Sequence, residues 1–156
     1  MTLQVIEYDI DKIRPHPRNP RKHPDIAIER LKDSIEAYGF TNPILITQDG
    51  LTLAGAARLE AARQSGATTV PVIILPFEGD KALAYLIADN KLQELTDWDK
   101  PKLKDLLLDL DTGAFNIELT GFDIDEMQAL IVDYEIDRSE RTTEVQCPEC
   151  GAKFKI

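Results

Sequence analysis

The run Val70 to Leu75, VPVIIL, constrains the fold more than any other stretch. It is short, continuous and β-branched, the pattern of a strand. A strand needs partners, and three other segments offer them. Leu3 to Tyr8 alternates Leu3, Val5 and Glu7 with Gln4, Ile6 and Tyr8, which reads as a short strand. Pro43 to Thr47 reads as a buried strand, Gln48-Asp49-Gly50 is turn chemistry, and Leu51 to Leu53 can pair back as a hairpin. Between the strands lie helical patterns. One starts at Asp25, carries Ile28, Leu31, Ile35 and Tyr38 on one face, and ends at Gly39. A second opens at Ala54-Gly55, runs through Arg63 and closes at Gly66. A third covers roughly Lys81 to Leu92.

Strands and helices therefore alternate for about 95 residues, and helices dominate afterwards. A leucine-rich helix carries Leu103, Leu106, Leu107 and Leu110. Asp123 with Glu126 three positions on makes a capping-box pattern for a helix bearing Ile124, Met127, Leu130, Ile131 and Tyr134. Arg138 to Glu144 is charged, lacks apolar periodicity and reads as a linker. The expectation is a small mixed α/β (α+β) domain over 1–97, an acidic helical extension over 98–136, a linker over 137–144 and a short tail over 145–156.

At 156 residues and 43% apolar, the chain can build a core without a disulfide framework. Its formal charge of −10 argues against coating DNA or an anionic membrane by bulk electrostatics. The acidity is mostly C-terminal: 11 basic and 14 acidic residues up to Asp97, then 7 and 14 beyond it. No apolar run approaches a membrane span, and no signal-peptide pattern opens the chain. With two cysteines only, a reducing, cytoplasmic home is the expectation.

The stretch Leu51 to Ala62, LTLAGAARLEAA, carries the chemistry. A strand runs into a glycine, and a helix starts at once with an arginine one turn in. A helix N-terminus presents unpaired N–H groups and a partial positive charge. Gly55 lets a ligand approach the backbone, and Arg58 adds a fork of donors suited to phosphate oxygens. These features make a candidate anion site. Glu60 is two residues past Arg58, so it faces roughly 200° away around the helix, as a solvated charge. Lys12 to Pro24 holds four prolines, five basic residues and both histidines, which reads as a stiff basic loop.

Six motifs stand in order: Asn19-Pro20-Arg21, Ser34-Ile35 with Gly39-Phe40, Pro43-Ile44-Leu45, Gly55-Ala56-Ala57-Arg58, Val70-Pro71-Val72 and Ala88-Asp89-Asn90-Lys91. Trp98-Asp99 and Leu119-Thr120-Gly121-Phe122 follow. Over about residues 5 to 135 the chain resembles the ParB/sulfiredoxin superfamily, and within it the ParB-like N-terminal domains attached to phage and prophage DNA methyltransferases. The resemblance implies binding of CTP or ATP with Mg²⁺. It assigns Gly55, Ala56, Ala57 and Arg58 to the phosphates, Asn19 and Arg21 to a loop wrapping the nucleotide, and Asp89 and Asn90 to phosphates or Mg²⁺.

The departures from that pattern shape the expected function. Partition proteins carry Glu-Arg after the glycine, and this chain has Ala56-Ala57. No cysteine stands where sulfiredoxin has its catalytic one, so that chemistry is not expected. No clustered carboxylate–histidine site supports a nuclease. The resemblance thus implies a nucleotide-binding switch or accessory to phage or mobile-element DNA processing, at most a weak NTPase. The alternatives are an NTPase or phosphotransferase on the same fold, or a non-enzymatic adaptor of a DNA methyltransferase. Trp98 to Glu135 is strongly acidic and shows no recognition helix with basic flanks. Any DNA contact would fall to Lys12, Arg14, Arg18, Arg21 and Lys22, whose loop reads first as a lid over the nucleotide. In the tail, Cys147-Pro148-Glu149-Cys150-Gly151 has zinc-knuckle spacing. Two thiolates are half a structural site, so the expectations are a Cys₄ site shared by a homodimer, a site completed by His16 and His23, or no metal.

Overall fold

The computed structural model describes residues 3–141, 144–146 and 153–155. The chain divides into two compact units, Met1–Asp97 and Trp98–Ile156. In the first, four strands form one mixed sheet: β1 (Ile6–Asp9), β2 (Ile44–Thr47), β3 (Thr52–Ala54) and β4 (Thr69–Leu75), in the order β1-β4-β2-β3. The Val70–Leu75 run is the heart of it. β4 pairs antiparallel with β1, Ile6 opposite Val72, and parallel with β2, Ile44 opposite Val72. β3 pairs back on β2 across the Gln48-Asp49-Gly50 turn.

The helices of this unit are α1 (Asp25–Tyr38), α2 (Ala56–Gln64) and α3 (Gly79–Gln93). Alternation along the strands divides their side chains between two cores. Ile44, Ile46, Val70 and Val72 join Leu59 and Ala62 of α2. Leu53 and Leu75 join Ala82 and Leu86 of α3, flanked by Leu45 and Ile73. The sheet is therefore covered by α2 on one face and α3 on the other. Asp25 does not cap α1. Pro24 takes the N-cap position, and Asp25 sits in the first turn, where its charge still favours the helix N-terminus.

The segment between β1 and α1 is more than a basic loop. A 3₁₀ turn at Ile10–Lys12 drops Ile10 and the fully buried Ile13 into the core. Arg63 of α2 donates to Ile13 O at 2.6 Å and to Ile10 O at 3.4 Å. Arg14 then pairs with the free edge of β3: its N–H donates to Gly50 O at 2.8 Å, and Thr52 N–H donates to Arg14 O at 2.9 Å. Pairing covers an edge strand that would otherwise stand open.

In the second unit, α4 (Lys100–Leu110) and α5 (Ile124–Arg141) pack around Leu103, Leu107, Ile117 and Met127. The Asp123/Glu126 capping box forms. Glu126 N–H donates to Asp123 Oδ1 at 2.7 Å, and Asp123 N–H donates to Glu126 Oε2 at 2.9 Å. Trp98, 64% exposed, sets its ring edge-on to Phe122 at 5.9 Å. The charged stretch from Arg138 is not a linker from its start. α5 continues to Arg141, and β5 (Glu144–Gln146) begins soon after and pairs antiparallel with β6 (Lys153–Lys155). Cys147 and Cys150 lie outside the described residues.

Candidate functional site

Gly55 carries the turn from β3 into α2. Its φ of 87° and ψ of 25° lie in the left-handed region, where a Cβ is costly, and it occupies the N-cap of α2 without a capping side chain. The opening N–H groups of α2 are thereby left to whatever approaches them. Arg58, one turn in, folds back over this point. A Cβ added to Gly55 would lie 3.0 Å from Arg58 Nη2 and 3.2 Å from Nε. The left-handed backbone is what calls for glycine here, and an added Cβ would also press on the guanidinium, which would have to give by a few tenths of an ångström.

Arg58 is partly buried, and its Nε is a buried donor with no hydrogen-bond partner. Burial pushes its pKa below the ordinary guanidinium value, and the nearby Asp89 charge opposes that. An arginine remains cationic in such a setting. A desolvated cation with an unmet donor is costly in isolation and well suited to an anion.

Asn19, Arg21, Gly55, Ala56, Ala57, Arg58, Asp89 and Asn90 all line one cleft of about 270 Å³. Three segments bring them together: the loop before α1, the start of α2 and the C-terminal half of α3. Asn90 donates its Nδ2 to Leu86 O at 2.9 Å, which fixes the side chain. Asp89 and the Asn90 carbonyl are hard oxygen donors, a pair that fits the one or two protein ligands Mg²⁺ takes when phosphates supply the rest. Glu60 is exposed, accepts from Gln64 at 3.0 Å, and does not line the cleft.

Sequence reasoning missed several lining residues. Gln93 stands four positions after Asp89, and that helical spacing could have revealed it. Ala27 and Leu31 form an apolar wall from α1, and His23 joins them. Burial, and then the Arg21 charge, lower the His23 pKa. A larger cleft of about 680 Å³ lies between the β2–β3 turn and the start of α3, lined by His16, Arg18, Asp49, Phe77 and Glu78 among others. None of the motif residues enters it. Among the described residues, no group of three or more His, Cys, Asp or Glu side chains gathers. No helix there is long and apolar enough to cross a membrane.

The ParB N-terminal domain family matches residues 2–91, and the ParB-methyltransferase HTH domain family matches residues 101–151. The second match falls on the acidic segment that shows no recognition helix with basic flanks, and that composition, 7 basic against 14 acidic residues beyond Asp97, stands beside it. Over 73 residues the chain is 34% identical to the ParB-like nuclease domain-containing protein YnaK of Escherichia coli K12, spanning 47% of this chain and 84% of that protein. Over 94 residues it is 33% identical to the chromosome-partitioning protein Spo0J of Thermus thermophilus. That alignment spans 58% of this chain and only 35% of Spo0J. In structure it is similar to the C-terminally truncated partitioning protein ParB of Caulobacter crescentus complexed with CTP-gamma-S. The TM-score is 0.64 at 20% identity, over 88% of this chain and 89% of that one.

Proposed function

The chain belongs to the ParB N-terminal domain family, and from that premise we propose that the Gly55–Arg58 cleft binds a nucleoside triphosphate, CTP or ATP, together with Mg²⁺. The protein works as a switch or accessory factor in DNA processing or modification. One observation carries the reading: Arg58 holds an unpartnered buried donor at an uncapped helix N-terminus. Around it stand Arg21 as a second cation and Asp89 and Asn90 as oxygen donors. The Caulobacter protein with this fold holds CTP-gamma-S, which makes CTP the first nucleotide to try. Ala56 and Ala57 offer neither a general base nor an extra phosphate ligand, so binding without fast turnover is the expectation.

Of the Lys12 to Lys22 loop, the end that carries Asn19 and Arg21 serves as the lid of this cleft, since those two side chains line it. The match of residues 101–151 to a ParB-methyltransferase HTH domain supports a DNA methyltransferase, or the DNA it modifies, as partner of the second unit. For the tail, Cys147 and Cys150 are proposed as half of a zinc site. The chain on either side of them forms the two strands of a hairpin, Gln146 opposite Lys153.

Thermal denaturation with CTP, ATP, GTP and ADP, each with Mg²⁺, tests the central reading alongside a phosphate-release assay. Stabilisation by one triphosphate with little release is the expected result. Rapid release would favour the NTPase alternative. No shift with any nucleotide would leave the adaptor alternative.

A further inference from the structure

Past Arg14, one hydrogen bond ties the loop to a distant part of the chain. Within 15–22, the hydrogen bonds are local: Asn19 N–H to His16 O at 3.0 Å, Arg18 N–H to His16 Nδ1 at 3.2 Å, and Arg21 N–H to Asn19 Oδ1 at 3.1 Å. The exception spans 73 positions in sequence. Arg21 Nη1 donates to Glu94 Oε1 at 2.6 Å, joining the loop to the C-cap residue of α3. Glu94 is held from the other side by Lys91, whose Nζ lies 3.0 Å from Oε2. Among the described residues, no other hydrogen bond or ion pair reaches from 15–22 to the rest of the chain.

Arg21 also lines the cleft. The contact with Glu94 is through Nη1 alone. A phosphate entering beside Arg58 is met best by two parallel N–H donors, and turning the guanidinium to present them takes Nη1 off the carboxylate, so the two anions compete for it. Both side chains of the pair are nearly half exposed, 45% and 46%, so the pair is well solvated and weak enough to exchange.

We propose that Glu94 is a counter-charge latch: it holds Arg21 and the lid against α3 when the cleft is empty, and gives Arg21 up to the ligand's phosphate. The latch rests on the nucleotide reading of the cleft. Glu94 thereby raises the ligand concentration at which the site fills, and it couples filling to release of the loop from α3.

The test is Glu94→Gln, which removes the charge and keeps the shape. In ligand-free protein, hydrogen exchange over residues 19–23 should speed up relative to the parent. Affinity for CTP with Mg²⁺ and for inorganic tripolyphosphate should rise about two- to five-fold, the range of an exposed ion pair. In an Arg21→Ala background the same change should have no effect on either affinity or exchange. Unchanged exchange, or affinity equal to or below the parent's, overturns the latch. The cleft reading fails separately, if Arg58→Ala binds tripolyphosphate as the parent does or if the parent does not bind it. The ligand-free exchange arm decides the latch in either case.

Discussion

Arg58 and Gly55 are coupled, and the coupling separates a binding role from a structural one. Arg58→Ala should abolish the thermal shift produced by nucleotide. It should leave the ligand-free melting temperature the same or slightly higher, because alanine is a better helix former and a buried unmet donor is removed. Titration calorimetry with CTP and Mg²⁺ checks this, and a variant that binds as tightly as the parent refutes the site. Gly50 offers a purely structural test at the same scale. Its φ is +80°, and an added Cβ would meet Lys12 O at 2.5 Å. Gly66 has φ +76° with nothing within 4 Å. Both Gly→Ala changes incur the left-handed penalty of about 1–2 kcal/mol. Only Gly50→Ala must also displace the 3₁₀ turn, so it should be clearly the more destabilising in urea denaturation. Equal midpoints would mean the turn moves freely.

Among the elements, what local chemistry determines was readable and what distant packing determines was not. VPVIIL, the Gln48-Asp49-Gly50 turn and the Asp123/Glu126 box all formed where short-range pattern placed them. The turn through Gly55 into α2, with Arg58 one turn in, was readable too, because a glycine before a helix is a local signal. Ile13, fully buried in what reads as a basic loop, was not. It packs with Ile44, Ile46 and Leu59, and Arg63, 50 positions away, donates to its carbonyl, so these partners are all distant in sequence. Glu94 escaped for the same reason: nothing near it in sequence points to Arg21. The α4 core is local enough to support a prediction. Leu107, 2% exposed, packs with Leu103, Ile117 and Met127. Leu107→Ala should cost about 2–5 kcal/mol in the unit that contains it, measured by circular dichroism on heating. An unchanged melt would mean α4 and α5 are not held by this cluster.

Across the whole molecule, charge divides the two units. Through Asp97 the chain is nearly balanced, with 11 basic and 14 acidic residues, while beyond it 7 face 14. A segment with that excess of acid gains nothing from bulk attraction to phosphate backbones, and the partner we propose for its tail is a second copy of the chain. The tail supplies chemistry for the second copy. Structural zinc takes four ligands, and Cys147 and Cys150 provide two per chain. His16 and His23 could complete a site in principle, but His23 lines the proposed nucleotide cleft, while His16 lines the larger cleft beside the β2–β3 turn. Two tails sharing one Cys₄ site satisfy the metal without drawing on either histidine. Protein purified without chelator should then carry about half a zinc per chain and sediment as a dimer that EDTA dissociates. Replacing either cysteine with serine should abolish both metal and dimer. One zinc per monomeric chain would point instead to the histidines, and the nucleotide and the metal would then compete for the same loop. Zinc-free protein would leave the hairpin to stand without a metal.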